Sequence, residues 1–179
     1  MRKIVIRVLG AAGLAALVFS QSLPPGLGQG WMGEFNHAAR QTVELANATP
    51  AEKFSWRPAA GVRSVSEVYM HIAIGNYFLL GQAGAKVPPE VTAKLKPDTE
   101  KAVTAKADVI QWLKDSQDAV RENYGRIDRQ KKVKFFGTDT TADGILMRIL
   151  VHNHEHMGQS IAYARMIGVT PPWSQSAGQ

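Results

Sequence analysis

The sequence contains no cysteine. This absence excludes disulfide bonds, thiolate metal ligands and a cysteine nucleophile. Any metal site must therefore be built from histidine, aspartate, glutamate or water. The chain also lacks a run of the ~20 apolar residues that a transmembrane helix requires. No stable membrane span is therefore expected once the N-terminal segment has been removed.

Strong positive charge is also lacking outside the N-terminus. The formal net charge is +6, but Arg2, Lys3 and Arg7 contribute three of these charges, so the chain after them carries +3. A basic cluster at residues 126–134 has no aromatic-rich strand or groove-reading motif beside it. The sequence therefore gives no support for nucleic-acid binding.

The first 22 residues have the composition of a secretory signal peptide. Basic residues precede an uninterrupted apolar run of twelve residues, 8–19, which is followed by Ser20-Gln21-Ser22. This order predicts export to the periplasm or secretion, with cleavage between about residues 20 and 30. The alternatives are an uncleaved anchor and a buried N-terminal helix.

Proline and glycine separate this segment from a single predicted domain. Residues 23–30 predict a linker, because two prolines and three glycines oppose regular structure there. The domain is expected at residues 31–173, with a short tail at residues 174–179. A chain of 179 residues is long enough for one ordinary domain and too short for two.

Apolar residues recur at helical spacing in four segments of this domain. They predict helices at residues 31–47, 65–81, 98–124 and 141–167. Capping patterns mark two of these starts and one further short helical turn. The patterns are Ser64 with Glu67, Thr140 with Asp143, and Thr49 with Glu52.

One connecting segment has the composition of a strand. Residues 131–137 are β-prone, but a lone strand would have no partner, so an extended connection is predicted there rather than a sheet. Four long helices joined by loops pack most simply as an antiparallel four-helix bundle. The predicted fold class is therefore all-α.

Two histidines interrupt the apolar face of the predicted fourth helix. At ~100° per residue, one narrow arc of that helix carries Ile145, Ile149, His152, His156 and Tyr163. Burying two imidazoles is unfavourable unless both ring nitrogens find partners, and a shared metal ion would be one. Two histidines four residues apart on one helix face can supply two ligands to zinc or a similar ion.

His71 is the remaining histidine in the middle of a predicted helix that can lie opposite this pair. Three imidazoles and an open position describe a catalytic type of metal site, whereas closed structural sites have four protein ligands. The predicted metal ligands are therefore His71, His152 and His156. The predicted cofactor is one divalent ion.

Three other residues are not predicted to be ligands. His154 points ~160° away from both predicted ligands of its helix, towards an apolar stripe that includes Leu150. We interpret that stripe as a helix-packing or dimer surface. His37 has the pattern of an ordinary surface histidine. Glu155 could act as an acid beside the ligands, but its position to the side of the arc argues against that role.

Four local motifs resemble the DinB-like superfamily of metalloenzymes, also called YfiT-like. They are Trp56-Arg57-Pro58 followed by the segment from Ser64 to His71, the His152-x-x-x-His156-x-Gly158-Gln159 run, Tyr163-Ala164-Arg165-Met166-Ile167-Gly168, and Pro171-Pro172. The resemblance covers residues 31–173. Met157 stands where the family commonly has arginine.

The resemblance implies a four-helix bundle, often a homodimer, with a three-histidine site for zinc, nickel or another divalent ion. Carried over to this chain, the ligands are again His71, His152 and His156. Family members with an implied activity are mostly cytoplasmic thiol transferases and related thiol-dependent enzymes. A predicted export signal departs from that pattern.

These observations lead to one functional expectation and two alternatives. The expectation is an exported metal-dependent hydrolase or thiol-type transferase that acts on a small molecule. The first alternative is a non-catalytic periplasmic bundle that binds a metal or another ligand. In the second alternative there is no metal, and the histidines form hydrogen bonds in the core.

Overall fold

The computed structural model describes residues 25–175, and the predicted export signal lies outside these residues. The helices of the described part are α1 Gly30–Ala48, α2 Val65–Gln82, α3 Pro89–Lys94, α4 Thr99–Ala102, α5 Lys106–Tyr124, α6 Ala142–Met166 and α7 Pro172–Gln175. A 3₁₀ turn at Ala51–Lys53 follows α1, and strands β1 Lys132–Phe135 and β2 Thr138–Thr141 precede α6. Within this part of the chain, no helix combines the length and apolar character needed to cross a bilayer.

The four long helices α1, α2, α5 and α6 form a bundle, which confirms the predicted all-α class. α1 is antiparallel to α5, because Arg121 bonds Asn36 near the start of α1 while Lys106 bonds the carbonyl of Asn47 near its end. α2 is antiparallel to α6, because Val68 near the start of α2 shares a core cluster with Tyr163 near the end of α6, and Leu80 shares the other with Ile145. Each long helix therefore has one antiparallel neighbour.

The neighbouring helices α2 and α5 run in the same direction. Val68 and Val109, from their N-terminal halves, share one core cluster, and Leu80 and Val120, from their C-terminal halves, share the other. The connection between these helices must therefore return along the bundle. That return places α4 beside α2.

Capping explains where α2 begins. Ser64 Oγ accepts from the backbone N–H of Glu67, and the Glu67 carboxylate accepts from the backbone N–H of Ser64. The predicted capping box is thus confirmed. At the start of α6 the cap is Thr141, whose side chain accepts from the N–H of Gly144. The predicted cap at Thr140 is therefore wrong by one residue.

The extended connection predicted at residues 131–137 is instead the first strand of a hairpin. β1 pairs with β2 in antiparallel register, with Val133 opposite Thr140. Phe136 and Gly137 both have positive φ, 48° and 83°, as a two-residue hairpin turn requires. The prediction is wrong because Thr140 and Thr141, which have the pattern of a helix start, belong to the partner strand.

The single helix predicted at residues 98–124 is also wrong, because it is divided into α4 and α5. Val103 is extended, with φ −91° and ψ 100°, and its side chain packs against the core. This break turns α4 towards α2. Glu100 of α4 thereby reaches a histidine of α2.

Candidate metal centre

Antiparallel packing of α2 against α6 brings three histidine rings together. The ring centroids of His71 and His152 are 4.9 Å apart, those of His71 and His156 4.7 Å, and those of His152 and His156 4.6 Å. One nitrogen of each ring lies within 4.8 Å of the other two. The structure therefore gathers the three predicted residues into one group, and their role as ligands stays a prediction.

Two of the three rings are held by hydrogen bonds at Nδ1. His71 Nδ1–H donates to Glu100 Oε2 over 2.8 Å, and His156 Nδ1–H donates to Gln159 Oε1 over 2.8 Å. Carboxylate and amide oxygens only accept, so each Nδ1 carries the proton and each Nε2 keeps its lone pair. Partners of this kind fix the tautomer and orientation of metal-binding imidazoles.

Both of these partners are themselves anchored. Arg63 Nε donates to Glu100 Oε1 over 2.6 Å, and Gln159 Nε2 donates to Tyr163 Oη over 3.0 Å. In this arrangement the amide oxygen of Gln159 faces the ring, and its NH₂ group faces the Tyr163 hydroxyl, which can accept. The orientations of His71 and His156 therefore depend on chains of contacts from the loop before α2 and from the last turns of α6.

The third ring is the most enclosed of the group. His152 is 7% exposed, and its Nδ1 is buried with no hydrogen-bond partner among the described residues. Burial, followed by the proximity of His156 and His71, lowers the pKa of His152 to about 3. Burial also lowers the pKa of His71, against the opposing hydrogen bond to Glu100. At neutral pH both rings are therefore neutral, which is the form that binds a metal.

The donor set fits a divalent transition ion. Three imidazoles suit zinc, nickel, copper or iron. An ion would also give a partner to the His152 ring, whose burial without one is unfavourable. Zinc–nitrogen distances of ~2.0–2.1 Å place two ligating nitrogens about 3.4 Å apart. The nitrogens lie within 4.8 Å of one another in the structure, so the rings would have to move closer together around an ion.

Gly75 permits the close approach of His152 to α2. A Cβ at Gly75 would contact the Cε1 atom of His152 and lie 2.9 Å from its Nδ1 and 3.2 Å from its Nε2. These separations are shorter than ordinary van der Waals contacts. A side chain at this position would therefore displace the imidazole.

The other histidines lie outside the group. His154 Nδ1–H donates to the carbonyl of Leu150 over 3.0 Å, so the predicted hydrogen-bonded role is confirmed. The predicted surface position of His37 is wrong, because this residue is 8% exposed on a turn of α1 that packs beside His154. Glu155 is exposed and bonds Arg148 over 2.7 Å.

Glu100 and Gly75 were not identified from the sequence. Glu100 lies 29 residues after His71, and no local pattern shows that the returning connection places it there. Gly75 did carry a signal, because it falls one helical turn after His71 in a segment otherwise rich in apolar residues. Gln159 appeared only within a motif, without a role.

Removal of the Glu100 carboxylate should weaken metal binding. In Glu100→Ala the ring of His71 loses the acceptor that fixes its tautomer. We therefore expect metal affinity to fall about tenfold, since removal of such hydrogen-bond partners typically costs ~10–100-fold. Competition with a chromogenic chelator measures the change. Glu90→Ala, an exposed carboxylate of α3, is the matched control. Equal affinities in both variants would show that Glu100 does not orient the ring.

The stability of the metal-free protein should fall with acidification. Between pH 3 and 6.5 the unfolded chain protonates His152 whereas the folded chain does not. His152 therefore has no effect on the pH dependence of stability above about pH 6.5. Below that pH it lowers the free energy of unfolding by at most about 1.4 kcal/mol per pH unit. Urea unfolding between about pH 5 and 6.5 avoids most carboxylate titration. His152→Gln should show a shallower slope, and an unchanged slope would contradict the assignment.

Comparison with known proteins gives one family. Residues 34–160 match the model of the DinB superfamily. No curated protein matches the sequence significantly.

Solved structures of DinB-like proteins share the fold. A DinB-like protein from Bacillus cereus ATCC 10987 has 19% sequence identity and a TM-score of 0.64, over 80% of this chain and 95% of that chain. A DinB-like protein from Bacillus subtilis, YjoA, has 17% identity and a TM-score of 0.59, over 78% and 93%. A DinB family protein from Exiguobacterium sibiricum 255-15 has 22% identity and a TM-score of 0.61, over 78% and 90%.

Proposed function

This chain belongs to the DinB superfamily, and from that premise we propose that it is a metal-dependent enzyme, a hydrolase or a transferase. It binds one divalent ion, zinc or nickel, through His71, His152 and His156. The observation that carries the proposal is the orientation of the rings. Glu100 and Gln159 occupy two of the Nδ1 atoms and leave the Nε2 lone pairs for an ion.

The number of ligands supports catalysis rather than a closed structural site. In the described part of the chain, the group that could hold a metal consists of three histidines without a fourth residue. Catalytic zinc sites typically have three protein ligands and an open position. A divalent ion in such a site activates water for hydrolysis or a thiol for transfer. The protein supplies three imidazoles, and hydrogen bonds at Nδ1 orient two of them, His71 and His156.

Cobalt(II) substitution tests this proposal without knowledge of the substrate. One equivalent of cobalt should give the visible absorption of a low-coordinate imidazole site. An intense near-ultraviolet band on addition of a small thiol would support a transferase, and a spectrum that changes with pH but not with thiol would support a hydrolase. A spectrum that responds to neither would contradict an open site and favour a non-catalytic metal-binding bundle.

We also propose that the mature protein is exported. The support is the order of basic and apolar residues at the N-terminus, which is typical of a signal peptide. The protein recovered from the periplasmic fraction should begin between about residues 20 and 30. An intact N-terminus in the cytoplasmic fraction would contradict export.

We propose in addition that two chains associate through the outer face of α6. Met147 and Val151 are 51% and 45% exposed on this helix, and Val151 lines a shallow apolar groove with Leu150 and His154. Light scattering should give the mass of a dimer. Val151→Glu should give a monomer, and a monomeric parent protein would refute the proposal.

A further inference from the structure

A cleft lined by charged side chains lies beside the three histidines. Its volume is about 530 Å³, within the range of small-molecule sites. Three cations line it, Arg57 and Arg63 from the loop before α2 and Lys101 from α4, together with the carboxylates of Glu67 and Glu100. The lining therefore carries an excess of one positive charge.

The cleft adjoins the histidine group through shared residues. Glu100 and Gln159 both line the cleft, and both accept hydrogen bonds from the histidine rings, Glu100 from His71 and Gln159 from His156. One side chain therefore separates the cleft from each of these rings. A molecule that occupies the cleft therefore lies on the Nδ1 side of the His71 and His156 rings, behind Glu100 and Gln159.

The carboxylates of the cleft are already engaged. Glu67 accepts from Arg57 Nη2 over 2.9 Å through Oε1 and from the backbone N–H of Ser64 over 2.9 Å through Oε2. Glu100 accepts from Arg63 through Oε1 and from His71 through Oε2. All four carboxylate oxygens therefore already accept hydrogen bonds from the protein.

The cations retain donors that these carboxylates do not use. Arg57 donates through Nη1 to the carbonyl of Val62 and through Nη2 to Glu67. A guanidinium has five N–H groups, so the others remain available to a ligand. Arg63 bonds Glu100 through Nε and Nη2 and keeps Nη1. Lys101 is exposed, and its ammonium group has no ion pair or hydrogen bond among the described residues. The cleft therefore presents N–H groups that have no acceptor in the described part of the chain.

We propose that this cleft binds an oxyanion, the carboxylate or phosphate group of the molecule on which the three-histidine centre acts. The inference rests on the proposed function, because it names the substrate class of the same site. Guanidinium groups match the geometry of carboxylate and phosphate, and lysine adds a mobile positive charge. A divalent ion at the histidines would strengthen the preference for an anion, whereas a cationic ligand would meet repulsion.

Titration calorimetry with inorganic phosphate and with acetate, at constant ionic strength, tests the proposal on the full chain. We expect at least one of these anions to bind, and the tighter one identifies the substrate group. Lys101→Gln should weaken that binding several-fold, and Arg57→Gln combined with Lys101→Gln about tenfold. Lys114→Gln, an exposed lysine of α5 outside the cleft, should leave binding unchanged.

The same titrations in the chelator-treated protein separate the cleft from the metal. Binding that persists without metal and is lost in the cleft variants supports the proposal, even if the histidines prove to hold no ion. No binding of either anion overturns it, as does binding that the cleft variants retain or that the Lys114→Gln control loses equally. A protein that holds one metal ion but binds neither anion would leave the proposed function standing without the cleft.

Discussion

His156→Ala is expected to reduce the metal content of the purified protein from about one divalent ion per chain to background. The variant removes one of three imidazoles, and the two that remain cannot close a three-ligand site. We expect metal affinity to fall by more than the ~10–100-fold that is typical when only a hydrogen-bond partner of a ligand is removed. Elemental analysis after mild chelation and reloading measures the stoichiometry.

The fourth helix supplies the control for this experiment. His154 lies two residues from His156, but its ring bonds the Leu150 carbonyl and is outside the histidine group. His154→Ala should therefore retain the full metal content. Loss of metal in both variants would point to a general effect of changing α6. Retention of metal in His156→Ala, or its absence from the parent protein, would refute the three-histidine site.

Local rules predicted the parts of the fold that depend on one segment at a time. The start of α2 follows from the Ser64 and Glu67 capping box, which is a contact between residues three apart. The hairpin was missed because pairing depends on two segments together, and the second strand reads alone as a helix cap. The break at Val103 was missed because its cause is tertiary, namely packing of that side chain against the core.

The same distinction applies to the site. Helical periodicity placed His152 and His156 on one face, and the choice of His71 required only that two helices pack together. Glu100 could not be predicted, because its approach to His71 depends on the path of residues 83–105 along α2. Periodicity also failed for His37, since neighbouring helices decide which turns of α1 are buried.

Gly75→Ala should impair metal binding through a single methyl group. The added Cβ would contact the ring of His152 and lie 2.9 Å from its Nδ1. The imidazole is the most movable atom group at that contact, so it is the part that shifts. A methyl group between α2 and this ring would hold the His152 imidazole away from its present position beside His71 and His156. We expect metal affinity to fall about tenfold or more, as it does when ligand orientation is lost.

The fold itself should tolerate this substitution. Alanine in a helix interior is more favourable than glycine by about 0.8–1.0 kcal/mol, which offsets part of the strain from the contact with His152. The free energy of unfolding of the metal-free variant should therefore change little. Chelator competition for affinity and urea unfolding without metal measure the two effects separately.

Gly81→Ala is the matched control on the same helix. A Cβ there would meet only Val87 Cγ2 at 3.8 Å, an ordinary van der Waals contact, so this variant gains the helical preference of alanine without displacing a ring. It should bind metal as tightly as the parent protein. If Gly75→Ala also binds metal normally, His152 does not need its position against α2. If Gly75→Ala unfolds instead, the clash moves the helix backbone rather than the imidazole, and Gly75 is required for the packing of α2 against α6.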